Sequence, residues 1–216
     1  MVIVVVAGAV VLAGASFFAL YRRWELNWGA TREEIDRMMP GDDIVTRPTF
    51  NATRAVTIDA DPKAIWPWLV QIGFGRAGWY SYDLFDNLGR HSATCIMPDL
   101  QHIAVGDLVP LGPGNDSGLR VQDFEPNGWL VWWDRKTQLT TWAWALEPLS
   151  DGRTRLVTRV RARPSLRHPT TALWLLLTEV ADFPMMRKCM LGIKRRAEVN
   201  RPAEEPLRID VAVNAT

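Results

Sequence analysis

The sequence predicts an α+β chain: an antiparallel sheet followed by a long C-terminal helix, with a membrane-spanning segment ahead of both. Three observations carry this. Val2 to Leu20 is a run of nineteen residues without a charge. The stretch from Ile103 to Ala162 alternates apolar and polar residues between turn signals, the period of strands. Thr170 to Glu198 repeats apolar residues every three or four positions, the period of a helix.

At about 1.5 Å per residue the first run reaches roughly 29 Å, close to a hydrocarbon core of about 30 Å. Tyr21, Arg22, Arg23, Trp24 and Trp28 follow it. Aromatic rings settle at the membrane interface, and arginines mark the cytoplasmic side. The expectation is a single-pass anchor over 1–23 in the cell membrane, with the C-terminal domain cytoplasmic. The rival is a cleaved signal with Ala13-Gly14-Ala15 as its small-residue site, but its basic residues should precede the apolar run rather than follow it.

About 190 residues remain after the anchor, enough for one domain. Residues 24–47 read as a juxtamembrane connector, 48–198 as the domain and 199–216 as a loose tail. In the connector, Thr31 and Glu34 have capping-box spacing, and Pro40-Gly41 stops the short helix they start. Residues 52–58 form a strand. Asp61 then caps a helix that begins at Pro62, with Ile65, Trp66, Leu69, Val70 and Ile72 as its stripe and a break expected at Pro67. Gly73, Gly75 and Gly78 are turn residues, without a dinucleotide-binding fingerprint. A second short helix is expected over Trp79 to Leu88.

The strand region contains two hairpin turns, Glu125-Pro126-Asn127-Gly128 and Ser150-Asp151-Gly152. Val105 to Val109 carries a turn into a strand, Leu119 to Phe124 and Trp129 to Trp133 flank the first hairpin turn, and Thr140 to Leu146 and Thr154 to Ala162 flank the second, giving five or six strands in a meander. Alternation puts Arg153, Arg155, Arg159, Arg161 and Arg163 on one face of the last strand. That face is expected to be solvated or to contact a membrane surface. The C-terminal helix carries the stripe Leu173, Leu176, Val180, Phe183, Met186, Met190, Ile193 and Ala197, and Pro184 should kink it.

Composition excludes several functions. Cys95 and Cys189 have no metal-ligand spacing and read as reduced core residues; His91, His102 and His168 form no motif. No metal or cofactor is implied. Met1 to Ser150 carries 12 basic and 17 acidic residues, whereas Asp151 to Arg201 carries 12 basic and 4 acidic. This local basicity suits an anionic membrane surface, and the absence of a binding motif with stacking aromatics argues against nucleic acid.

The stretches Trp28-Gly29-Ala30-Thr31, Pro40-Gly41-Asp42, Trp66-Pro67-Trp68-Leu69-Val70-Gln71-Ile72-Gly73, Gly78-Trp79-Tyr80-Ser81-Tyr82-Asp83, Val105-Gly106-Asp107 and Leu191-Gly192-Ile193-Lys194-Arg195-Arg196-Ala197-Glu198 resemble bacterial members of the SRPBCC superfamily. That group includes START lipid-transfer domains, birch-pollen-allergen-like proteins and polyketide cyclases. The resemblance covers about Trp28 to Glu198. It implies the helix-grip fold, a curved antiparallel sheet wrapped around the long helix with two short helices after the first strand and an apolar cavity between sheet and helix.

Because this fold hosts carriers and enzymes alike, function must come from the site. The expected cavity lining is Trp66, Trp79, Tyr82, Trp142, Trp144, Phe183, Met186 and Met190, flat rings and flexible thioethers that suit an apolar small molecule or lipid. The same side chains could instead fill a solid core. Tyr80, Tyr82 and Asp83 are the acid–base candidates for a cyclase or dehydratase, although Asp83 could equally cap a helix. A third class is a membrane-surface interaction module with a filled core and a presented arginine face.

Overall fold

The computed structural model describes residues 14, 16–114, 116–163 and 169–199, and side chains of the last helix from residue 182 onward. Its elements are α1 (described over 16–26), α2 (Arg32–Asp36), β1 (Phe50–Ile58), α3 (Pro62–Val70), α4 (Asp83–Asp86), a 3-10 turn at Pro98–Leu100, β2 (Leu108–Pro110), β3 (Gly118–Glu125), β4 (Trp129–Trp133), β5 (Thr140–Pro148), β6 (Thr154–Ala162) and α5 (Pro169–Val199).

The six strands form one antiparallel sheet in the order β1-β6-β5-β4-β3-β2. Consecutive strands from β2 to β6 are neighbours, as a meander requires, and β1 closes on β6 in continuous register from Phe50↔Ala162 to Ile58↔Thr154. The chain turns where the sequence indicates, with Asn127 at φ 61 and Gly152 at φ 81, the left-handed conformation that Asn and Gly adopt most readily.

Both faces of this sheet are covered. On one, Ile58, Leu130, Trp132, Trp144, Leu146 and Leu156 pack with α3 and with Met186, Met190, Ile193 and Ala197 of α5. On the other, the alternate residues Ala55, Val131, Ala143, Ala145 and Val157 pack with Met39, Ala30 and Ile44 of the N-terminal segment. Gly41, at φ +83, lies where a Cβ would meet a Val131 methyl at 2.7 Å. The connector is therefore a layer of the domain.

This arrangement corrects the expected arginine face. Arg159 is 2% exposed and donates to Thr53 Oγ1, Asp42 Oδ2 and the carbonyls of Glu34, Ile35 and Arg37. Arg161 pairs with Asp42 at 3.2 Å and donates to the Val45 carbonyl. Arg155 forks onto Glu34 and reaches the Gly29 carbonyl. Desolvation raises the Glu34 carboxyl, but its bonds to Arg155 and Thr31 outweigh that and hold it below the usual range. These three arginines tether the connector: Arg159 supplies donors to the carbonyls left over at the end of short α2, while Arg155 and Arg161 hold its acids and the Gly29 and Val45 carbonyls. Arg153 and Arg163 are exposed.

Other departures are local. The Thr31–Glu34 capping box forms, and Asp61 caps α3 through the Lys63 amide. However, α3 runs unbroken through Pro67 to Val70, since proline removes only one backbone bond and burial of Ile65, Trp68 and Leu69 holds the turn together. The second short helix shrinks to four residues, Asp83–Asp86, because Trp79 and Tyr80 are buried in the turns before it. Cys95 is exposed and only Cys189 is buried. The last helix continues through Pro184, and Phe183, Met186, Met190, Ile193 and Ala197 are buried as the stripe predicts. The side chains of Leu173, Leu176 and Val180 lie outside the described residues.

So do residues 1–13 and 15, most of the apolar run and of its cleavage-site rival, together with the expected tail from residue 200. Among the described residues no helix is long and apolar enough to cross a membrane. The described part of α1 leaves Phe17, Phe18, Leu20, Tyr21 and Trp24 exposed, with Trp24 and Trp28 edge-on to Phe183 of α5 at 5.0 and 6.3 Å.

Candidate functional site

Between sheet and helix the space is largely occupied by tryptophan. Trp142 stacks on Trp79 at 5.5 Å and on Trp144 at 5.4 Å, and Trp132 stands edge-on to all three at 5.2 to 6.2 Å. The strand pleat aligns them: Trp142 and Trp144 are two apart on β5, and Trp132 and Trp142 are register partners. The Trp142 indole N–H is satisfied by Thr158 Oγ1, which in turn donates to the Ala143 carbonyl.

At the edge of this stack lies a cleft of about 240 Å³ lined by Trp79, Ser81, Phe85, Asp86, Leu111, Trp142, Asp182, Met185, Met186 and Cys189. Four parts of the chain build it: α4 with the turn into it, the residue after β2, Trp142 of β5, and the middle of α5. Its volume falls below the roughly 300–1,000 Å³ of drug-sized pockets, so it suits a small molecule or one end of a longer one. Gly192 permits the α4 turn to approach α5, because a Cβ there would stand 2.3 Å from the Tyr80 carbonyl oxygen.

Of the expected lining, Trp79, Trp142 and Met186 reach this cleft. Trp144 and Met190 are fully buried in the solid core beside it. Trp66 packs on Phe124 of β3 at the margin of the core, and the fully buried tryptophan of that helix is Trp68, 0% exposed. Phe183 faces α1 and the Arg54 guanidinium instead.

The three acid–base candidates are separated. The Tyr80 hydroxyl donates to the Trp68 carbonyl and accepts from Gln71 Nε2; burial pushes it well above the usual phenol range. Tyr82 is half-exposed, with the Lys188 ammonium 3.7 Å from its ring centre. Asp83 accepts from Ser92 Oγ at 2.5 Å and lies 3.5 Å from His91 Nδ1. Burial raises its carboxyl, but the Ser92 and His91 bonds outweigh this and hold it below the usual range. Asp83 opens onto a separate polar groove with Lys188, Arg195 and Arg196.

Two carboxyls line the apolar cleft, Asp182 and Asp86, and the sequence singles out neither as a site residue; Asp86 is the one without a cationic partner among the lining residues. It is 8% exposed. Its Oδ2 accepts from the Tyr82 amide at 3.1 Å, while Oδ1 is buried with no hydrogen-bond partner among the described residues. The Ser81 hydroxyl lies beside it but gives its one proton to the Met185 carbonyl at 3.0 Å. Desolvation raises the Asp86 carboxyl above its ordinary value and the neighbouring Asp83 charge adds to this, outweighing the Ser81 hydroxyl and the Tyr82 amide, which act against it. Only its spacing of three from Asp83 hinted at it, and that spacing is commonplace.

Among the described residues no group of three His, Cys, Asp or Glu side chains could hold a metal ion. An antiparallel sheet gripping a C-terminal helix, with two short helices inserted after the first strand, is the helix-grip arrangement, here with an apolar cleft at the edge of a tryptophan-filled core.

No family model matches the chain and no curated protein matches it. Solved structures similar to it include the Polyketide_cyc-like protein Cgl2372 from Corynebacterium glutamicum, 16% identical, covering 69% of this chain and 91% of that one at a TM-score of 0.44. A protein from Thermobifida fusca is 16% identical over 68% and 92% of the two chains, with a TM-score of 0.43. The Aha1 dimer from Colwellia psychrerythraea is 16% identical over 70% and 98%, with a TM-score of 0.36. The assignment of the fold rests on this chain's own element order, strand registers and helix packing.

Proposed function

We propose that this protein is a membrane-tethered binder of an apolar small molecule or lipid chain, held in the cleft between the α4 turn and α5, with no chemistry of its own. The observation that carries the reading is the cleft itself, an apolar void of about 240 Å³ walled by Trp79, Trp142 and Met186 at the edge of an otherwise filled core. Stacked indoles offer large flat apolar area and methionines adapt to the guest.

Its surroundings favour a ligand drawn from a bilayer. Leu84, Phe85 and Leu88 are 63% to 75% exposed around the α4 turn, where Phe85 also lines the cleft. Exposed apolar clusters of this kind mark contact with membranes or partners. Trp24 packs on Phe183, next to the Asp182 that lines the cleft, so a membrane helix over residues 1–23 would hold the cleft near the cytoplasmic surface. The acid–base candidates give a cyclase no support, since Tyr80 and Asp83 are committed to structural hydrogen bonds.

Native mass spectrometry of the full chain, with titration by an apolar fluorescent probe, tests the reading. The expected result is a co-purified ligand or saturable probe binding with a changed tryptophan emission; absence of both refutes it. The tether is checked separately, by retention in the membrane fraction after a high-salt wash. Recovery of a soluble secreted species shortened at its N-terminus would refute that part.

A further inference from the structure

The cleft contains one polar demand that the fold leaves unanswered. Asp86 Oδ1 is buried without a partner, on a side chain from a residue more than nine-tenths buried that lines the void. The other carboxylate of the lining, Asp182, is already matched by Arg54 Nη1 at 2.6 Å. Cys189, the remaining ionisable group, is a buried thiol kept neutral by desolvation, with the Asp86 charge adding to that effect. Among the described residues no lysine, arginine or histidine lines the cleft. Asp83, the nearest charge on the same turn, has the same sign as Asp86. The cleft is therefore apolar with one uncompensated acid and no base.

Resting on the cleft reading above, we infer that the ligand is an apolar amine whose ammonium group pairs with the Asp86 carboxylate while its body lies against Trp79 and Trp142. An ammonium meets three requirements together. It supplies the missing donor, it neutralises a desolvated charge, and it sits beside indole rings whose faces attract cations. An alcohol meets only the first. A carboxylate meets none, and would place a second negative charge beside Asp86 in a medium that screens it poorly. A fatty acid is thus the lipid class that the site rejects. The sequence conceals this preference, because the basic residues of α5 suggest an anion. Those side chains face elsewhere: Lys188, Arg195 and Arg196 border the separate polar groove, and Arg187 lies over Trp28.

The test uses three probes that share a body and differ in head group: phenethylamine, 2-phenylethanol and phenylacetate. They are titrated calorimetrically into the full chain in lipid nanodiscs, with protein-free nanodiscs as reference. Phenethylamine should bind at least about tenfold more tightly than phenylacetate, the scale of one charge-assisted hydrogen bond, with the alcohol between them. In Asp86→Asn the amine should fall to within about twofold of the alcohol. Asparagine keeps an acceptor for the Tyr82 amide, and the wild-type ranking decides the matter even should that variant not fold. Phenylacetate binding as well as the amine, or an amine preference that survives in a folded Asp86→Asn, overturns the inference and leaves the cleft reading intact. Binding of none of the three overturns both.

Discussion

Replacing Arg159 by methionine keeps much of the side chain's length and removes its charge and all of its donors, which puts the docking of the N-terminal layer to the test. Arg159 and Asp42 have side chains 2% and 4% exposed and meet at 2.6 Å. The substitution leaves Asp42 with Arg161 at 3.2 Å and the Met39 amide at 2.9 Å. It also takes a donor from the carbonyls of Glu34, Ile35 and Arg37. Breaking a buried pair costs about 3–5 kcal/mol, much of it the charge left behind. The abandoned carbonyls add to this wherever water does not reach them, each by about 1–3 kcal/mol, though not additively. A loss of at least about 4 kcal/mol is therefore expected, a large part of the roughly 5–15 kcal/mol that holds a domain together. At a urea slope of about 2 kcal/mol per molar the midpoint should fall by about 2 M. Chemical denaturation of the wild type, Arg159→Met, Asp42→Ala and the double variant would also give a coupling energy, expected above about 1 kcal/mol. A midpoint shift under about 0.5 M, with negligible coupling, would refute the reasoning: the connector would then be a loose tether over a wet sheet face.

Two further outcomes follow from the site. Met190→Trp should destabilise the domain by about 1–3 kcal/mol, because it overpacks a filled core, whereas Met186→Trp should preserve the melting temperature within a few degrees and reduce apolar-probe binding by about tenfold. Equal destabilisation by both would mean that the cleft does not accept added volume. Asp83 and Asp86 should give stability–pH profiles of opposite sign. The folded-state pKa of Asp83 is depressed, so its contribution is present above the ordinary value of 3.8 and is lost as pH falls through the folded value. That of Asp86 is raised, so stability falls as pH rises from the ordinary 3.8 through the folded value. At neutral pH, Asp83→Asn should then lower the melting temperature and Asp86→Asn raise it, with both differences closing in strong acid; differences of the same sign would contradict the two environments.

The sequence by itself determined most of the elements and the two hairpin turns. The Thr31–Glu34 box, the Asp61–Pro62 start, the Asn127-Gly128 and Asp151-Gly152 hairpins and the α5 stripe are local signals, set by caps, backbone preference and periodicity within a few residues. They sufficed for β4 and β6 to the residue and for the meander's order, but the place of β1 beside β6 came only with the tertiary structure. Only the tertiary structure decided which periodic residues would be core and which would border a void. Met186 and Met190 share one helical stripe, yet one lines the cleft and the other is sealed in the core. Only it showed that Arg155, Arg159 and Arg161 are covered, since alternation reports that a face is polar and not whether the chain itself returns acids and carbonyls to it. Asp86 was illegible for the same reason: a carboxyl's significance lies in the partners it lacks, and those are fixed by segments about a hundred residues away that converge on it only in the folded chain.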